Sequence, residues 1–151
     1  GGATRKDSVK NCLAKVSEEA DIVLINDAVR PFINPGLINA LIFEALKNRA
    51  AVCGVPVKAT VKIIDSDSYI SATLDRRNLW EIQTPQVFQR EIIVNAYAKF
   101  AHLAATDDAF LVEKMGVKVK VVLGSYLNIK ITTREDLLFA QAIFKARKRQ
   151  G

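Results

Sequence analysis

The stretch Asp21-Ile22-Val23-Leu24-Ile25-Asn26-Asp27-Ala28-Val29-Arg30-Pro31 decides the fold class. Its first half is a continuous run of branched apolar residues, as expected of a strand covered on both faces. Asn34-Pro35 then reads as an N-cap and first helical residue. The helix that follows is expected to bury Leu37, Ile38, Leu41, Ile42, Ala45 and Leu46. Upstream, Val9, Cys12, Leu13 and Val16 make the apolar face of a helix of about three turns. Downstream, strands are expected at Ala51–Val57, Ala59–Ile64, Tyr69–Leu74, Val117–Leu123 and Asn128–Thr132. Helices are expected at Gln89–Phe100, from Thr106-Asp107-Asp108 to a Gly116 stop, and after the Thr133 cap, where Phe139, Ala142, Ile143 and Ala146 form the buried stripe.

This alternation argues for a single α/β layered domain over residues 1–151 with a mostly parallel sheet. Residues 59–80 interrupt it with two strands joined by the polar turn Asp65-Ser66-Asp67-Ser68, a hairpin that projects as a lid or a dimer arm.

Composition agrees. The chain has 151 residues, half of them apolar, with 22 Lys plus Arg against 16 Asp plus Glu and a net charge of +6. It excludes a disordered or collagen-like chain, and no apolar run is long enough to cross a bilayer. Cys12 and Cys53 lie in periodic apolar segments and suit buried free thiols in a reducing compartment. The basic excess points to an acidic partner: nucleic acid, phosphate esters or a membrane surface. The chain opens Gly1-Gly2-Ala3-Thr4 with no initiator Met and no signal peptide, as a tag remnant or a cut through a longer protein would.

Candidate chemistry gathers in four places. Asp27 follows a buried strand, where open α/β sheets bind ligands, and a carboxylate there can hold Mg²⁺ beside substrate phosphates. Arg30 can contact a phosphate or pair with Asp27; a capped loop with a surface ion pair is the plainer alternative. Asp75-Arg76-Arg77-Asn78 and Gln83-Thr84-Pro85-Gln86 offer guanidinium, amide and hydroxyl groups to a phosphate monoester, or form a solvated turn. In Asn128-Ile129-Lys130-Ile131-Thr132, alternation puts Asn128, Lys130 and Thr132 on one face, as an anion site or the solvent side of an edge strand. Thr106 precedes a helix start that can face an anion or simply cap.

Other chemistries are set aside. His102 is the one histidine and has no companion for zinc. No Ser–His or Cys–His pair is legible, and no G-x-G-x-x-G or P-loop is present. The basic residues Lys145, Arg147, Lys148 and Arg149 complement a helix C-terminus, and aromatic platforms for nucleic acid are lacking.

Together, Gly1-Gly2 with Ser8-Val9, Asp27-Ala28-Val29-Arg30-Pro31-Phe32, Thr60-Val61-Lys62, Asp75-Arg76, Gln83-Thr84-Pro85-Gln86-Val87-Phe88, Thr106-Asp107-Asp108-Ala109 and Asn128-Ile129-Lys130-Ile131-Thr132 resemble the 2-C-methyl-D-erythritol 4-phosphate cytidylyltransferase family of the non-mevalonate isoprenoid pathway. The resemblance implies a three-layer, Rossmann-like nucleotidyltransferase with a hairpin dimerisation arm. It implies attack of the methylerythritol 4-phosphate on the α-phosphorus of CTP, with Mg²⁺ present and pyrophosphate released. Gly2, Ser8, Asp27 and Arg30 would bind the nucleotide, with Asp27 beside the metal. Thr60, Arg76, Thr84, Thr106 and Lys130 would bind the sugar phosphate, Arg76 and Lys130 as the catalytic pair that positions its phosphate. Thr60, Arg76 and Thr84 would serve the neighbouring subunit of a homodimer. Nucleic acid and membrane are not implied as partners. The location implied is the cytoplasm, or a plastid if the source is a plant or alga.

Three departures from the family stand out. Asn26 occupies a position where His is usual, and Ala59 one where Asp is common. The family's leading strand and glycine-rich CTP-phosphate loop would lie upstream of Gly1, so the 151 residues alone are expected to be inactive. A ribitol- or pentitol-phosphate cytidylyltransferase and a non-catalytic dimerising fragment are the alternatives; Thr106-Asp107-Asp108-Ala109 followed by Leu111-Val112-Glu113 favours the methylerythritol enzyme.

Overall fold

A computed structural model describes residues 1–149. Helix α1 (Arg5–Leu13) starts at a capping box in which Thr4 and Asp7 satisfy each other's backbone N–H groups. Strand β1 (Ile22–Ile25) leads through the Asp27 loop to α2 (Pro35–Asn48), whose Asn34 side chain accepts from the Leu37 N–H. Strand β2 (Ala50–Pro56) follows, then the short strands β3 (Lys62–Ile64) and β4 (Ile70–Thr73). A 3-10 turn at Arg76–Asn78 leads into β5 (Trp80–Gln89), then α3 (Arg90–Phe100) and α4 (Asp108–Lys114). Strand β6 (Lys120–Leu123) and α5 (Arg134–Lys148) complete the order.

The main sheet runs β1-β5-β2-β6. Strand β5 is antiparallel to both β1 and β2, while β2 and β6 are parallel, so three strands share a direction and β5 opposes them. Alternate residues of β2 feed opposite layers, as the strand period of two requires. Ala50 and Val52 join Phe88, Leu13, Ile93, Tyr97 and Leu111 on the side covered by α1, α3 and α4. Ala51 and Cys53 join Val87, Leu37, Leu41 and Ala45 beneath α2. A smaller cluster of Phe32, Ala140 and Ile143 seats α5 against Ile129 and Ile131. The result is a three-layer α/β domain.

Several expectations need correction. Strand β5 carries Pro85 and polar Gln83, Thr84 and Gln86, which disguise a buried central strand as a turn. The sheet tolerates Pro85 because the register shifts opposite it, Val52 pairing with Gln86 and Gly54 with Ile82. Residues 128–132 are not a ladder strand; the Ile131 N–H donates to the Val29 carbonyl across a single link. Among the described residues strand β1 pairs only with β5, and its Leu24 is exposed. Leu46, Phe139, Ala142 and Ala146 are exposed, and Cys12 is exposed while Cys53 is buried.

The hairpin is where the sequence put it. Strands β3 and β4 form a separate two-stranded sheet, with Ile63, Ile64, Tyr69 and Ile70 open to solvent. Gly116 ends the α4 region at φ +77, a left-handed position that suits glycine.

Candidate active site

Strand β1 ends at Ile25, and two residues later Asp27 stands beyond its carboxyl end. The loop is held from behind by Thr84 of β5. The Asp27 N–H donates to Thr84 Oγ1 at 2.9 Å, and that hydroxyl donates onward to Asn26 Oδ1 at 3.0 Å. Asn26 therefore accepts from Thr84 and, through its Nδ2, donates to the Asp27 carbonyl at 2.9 Å. Thr84 itself is fixed by Asn128, whose buried amide donates to the Thr84 carbonyl at 2.9 Å. Arg30 Nη1 donates to the Asn128 carbonyl at 2.6 Å, tying the loop to residues 128–132.

Asp27 lies between two cations. Arg5 Nε donates to its Oδ1 at 2.8 Å, and Lys130 Nζ stands 3.2 Å from its Oδ2. Burial works against the charged carboxylate, yet hydrogen bonds and positive charge from Arg5 and Lys130 hold Asp27 below the usual carboxylate range. Arg5 Nη2 also reaches Asp108 Oδ2 at 2.7 Å, and Tyr97 donates to the other Asp108 oxygen. Burial, then Asp108, pushes the Tyr97 phenol up, so it stays a donor. Burial is also the largest influence on Arg30 and lowers it.

A cavity of about 570 Å³ opens beside this group, lined by Ser8, Asp27, Lys130 and Arg5 on its polar side and by Val9, Leu13 and Val23 among its apolar walls. Ser8 Oγ accepts from the Gly2 N–H at 2.9 Å and donates to the Thr4 carbonyl at 3.0 Å, so Gly2 and Ser8 are joined at the start of α1. Thr106 lines a second hollow of about 220 Å³ with Asp107, Asp108 and Arg5. The hydroxyl of Thr84 is committed to the Asp27 loop.

The chain therefore brings Ser8, Asp27 and Lys130 to one cavity, with Gly2, Arg30 and Thr84 bonded around it and Thr106 beside it. Thr60 and Arg76 stand apart on the exposed arm. Arg76 donates to the Lys58 carbonyl, and Arg77 pairs with Asp75 at 2.5 Å. Among the described residues, no hydrogen bond joins Thr60 or Arg76 to Asp27, Lys130 or Thr84. Arg5 and Tyr97 are not legible as site residues in the sequence, and Asn128, expected on a polar face with Lys130, is instead fully buried. Arg5 looks like an ordinary first-turn residue, and only the fold reveals its reach to Asp27 and Asp108.

No group of three or more His, Cys, Asp or Glu gathers to ligate a metal among the described residues. A single carboxylate does suit Mg²⁺, which keeps waters and takes most of its protein-site charge from substrate phosphates. Among the described residues, Asp27 is the carboxylate that lines the cavity, bonded to Arg5 and Lys130.

A model of the family "IspD: 2-C-methyl-D-erythritol 4-phosphate cytidylyltransferase" matches residues 1–146. The 2-C-methyl-D-erythritol 4-phosphate cytidylyltransferase of Pelotomaculum thermopropionicum is 49% identical over 150 residues, which are 98% of this chain and 63% of that protein. That of Shouchella clausii is 49% identical, over 99% of this chain and 66% of that protein. The crystal structure of 4-diphosphocytidyl-2C-methyl-D-erythritol synthase from Anaerococcus prevotii superposes with a TM-score of 0.88 at 40% identity, covering 96% of this chain and 66% of that one. The cytidylyltransferase structure from Thermus thermophilus gives a TM-score of 0.87 at 35% identity, covering 96% and 71%. The chain spans a little under two-thirds of the length of these curated relatives. With the matched segments, the three-layer sheet and the Asp27–Lys130 cavity on one chain, this protein belongs to the 2-C-methyl-D-erythritol 4-phosphate cytidylyltransferase family.

Proposed function

We propose that the protein carrying this chain transfers a cytidylyl group from CTP to 2-C-methyl-D-erythritol 4-phosphate. A phosphate oxygen of the acceptor forms a bond to the α-phosphorus of CTP, and the bond from that phosphorus to the bridging oxygen breaks. Pyrophosphate leaves with the electron pair, and the product is 4-diphosphocytidyl-2-C-methyl-D-erythritol. Phosphoryl transfer asks a protein mainly to align the reactants and offset charge. The observation that carries the reading is Lys130, half-exposed and 3.2 Å from Asp27 at the mouth of the cavity.

Within this reading, Gly2 and Ser8 meet the nucleotide at the start of α1, and Arg30 holds the loop that presents Asp27. Asp27 would hold Mg²⁺ beside the phosphates, and the ion would supply positive charge to both reactants. Lys130 receives the acceptor phosphate and Thr106 borders its sugar, while Thr84, buried and bonded to the Asp27 loop of its own chain, holds that loop rather than serving a neighbouring subunit. Thr60 and Arg76 reach the active site of a second subunit through the arm. A two-stranded hairpin is too small to stand alone, and exposed Ile63, Ile64 and Ile70 give it an apolar face to pack in a homodimer. The enzyme would work in the cytoplasm, or in a plastid in a plant or alga.

Pyrophosphate release by the intact protein tests this, with CTP, Mg²⁺ and either methylerythritol phosphate or ribitol 5-phosphate. Release that depends on methylerythritol phosphate is expected. Release with ribitol 5-phosphate alone, or with neither, overturns the reading.

A further inference from the structure

We propose that Arg5 is a positioning residue for the transfer, keeping Lys130 available to the acceptor phosphate by sharing Asp27 with it. The inference rests on the cytidylyltransferase reading and names a residue that reading does not use. Arg5 lines both the cavity of Ser8, Asp27 and Lys130 and the hollow of Thr106 and Asp108. Its guanidinium is bonded on both sides, Nε to Asp27 and Nη2 to Asp108. Asp108 is only 1% exposed, and its two oxygens take Arg5 and Tyr97, so the Arg5 fork is anchored from behind.

Charge arithmetic gives the consequence. Arg5 and Lys130 balance Asp27 and Asp108, so the cluster is neutral and Lys130 contends with only one oxygen of Asp27. Without Arg5, one lysine faces two carboxylates. Among the described residues Asp27 then keeps only Lys130 as a bonded cation, so Lys130 closes on it and is withdrawn from the acceptor phosphate, whether or not Asp108 keeps its charge. Arg30, which also feels Asp27, is held to the Asn128 carbonyl and does not replace Arg5. A lysine at position 5 cannot copy the fork, because one ammonium has no two-sided planar donor set.

Removing Arg5 also leaves Asp108 a buried charge without its cation, so a bare Arg5→Met protein mixes a stability loss with a functional one. Three variants of the intact protein separate them: Arg5→Lys, Arg5→Met, and Arg5→Met with Asp108→Asn. The double variant is expected to regain thermal stability, because the stranded charge is gone. Its KM for methylerythritol phosphate should stay raised at least tenfold, while that for CTP moves by less than about threefold. Arg5→Lys should fall between. Recovery of the acceptor KM in step with stability makes Arg5 purely structural and overturns the proposal, as does a folded Arg5→Met protein with unaltered kinetics. If the unaltered protein does not use this acceptor, the functional reading fails on its own. Lys130 then reports directly: acetic anhydride should acylate it several-fold more slowly in the double variant, and an unchanged rate overturns the role of Arg5.

Discussion

Lys130 Nζ lies 3.2 Å from Asp27 Oδ2, although one residue follows the first strand and the other precedes the last helix. The pair is assembled by Thr84 and Asn128. Thr84 accepts from the Asp27 backbone, and Asn128, two residues before Lys130, donates to the Thr84 carbonyl. A central strand thus sets the distance between a carboxylate and an ammonium that both face the cavity.

Replacing that ammonium should damage one substrate selectively. In the intact protein, Lys130→Ala is expected to lower kcat/KM for methylerythritol phosphate by about a hundredfold, the scale of losing one charge-stabilising donor. CTP binding by calorimetry should be nearly unchanged. Unaltered steady-state kinetics would remove Lys130 from the mechanism.

The arm makes a different demand. Arg76 donates only to the nearby Lys58 carbonyl and touches none of Asp27, Lys130 and Thr84, so action in trans fits its place at the hairpin base. Arg76→Lys should be damaging despite the retained charge, because forked binding of phosphate is lost. Mixing Arg76→Ala chains with Lys130→Ala chains should restore activity above either parent once subunits exchange, since one site in each mixed dimer is intact. No restoration after confirmed exchange would place the arm in its own subunit's site.

Asn128 is the structural counterpart. It is fully buried, donates to Thr84 and Gln83, and its carbonyl receives Arg30. Asn128→Ala should cost about 1–3 kcal/mol in chemical denaturation, the range for leaving buried polar groups unpartnered. A loss below about 0.5 kcal/mol would show that water substitutes freely for the amide.

How much of this was legible follows from what the residues advertise. The Asp21–Asn26 run and the Asn34-Pro35 start declare a strand and a helix by local chemistry alone, and both formed. The Thr106-Asp107-Asp108 start formed too, with Asp107 as the cap. Strand β5 was illegible because its polar residues are satisfied at long range: Gln86 by Asp107 and the Ala109 N–H, Gln83 by the Ser125 carbonyl. Burial of Gln83, Thr84 and Gln86 depends on partners that local periodicity cannot display. The Asn128–Thr132 alternation was real, with Ile129 and Ile131 against α5, but no neighbouring strand completes a ladder there. Phe139 fell outside the stripe because α5 turns Ala140 and Ile143 inward. Asp27 and Lys130 were legible as candidates through their segments, whereas Arg5 needed the fold.

The two thiols offer a check on burial. Cys12 is exposed, whereas burial pushes the Cys53 thiol up to about 11 and its Sγ donates to the Pro85 carbonyl at 3.3 Å. At pH 8 a disulfide reagent should titrate one thiol of this chain in the native state and two in denaturant. The sign for stability follows: the folded state favours the protonated thiol, so its contribution is complete below about pH 9 and shrinks as pH rises from there through about 11. Two thiols reacting rapidly in the native state would contradict the buried placement of Cys53.

The transfer itself is read most directly by phosphorus NMR of the intact protein with CTP, Mg²⁺ and methylerythritol 4-phosphate. The expected result is loss of the acceptor's monoester signal, with matched growth of a diphosphate diester and of free pyrophosphate. An unchanged monoester signal beside folded protein, or CTP breakdown with no new diester, would contradict cytidylyl transfer to this acceptor.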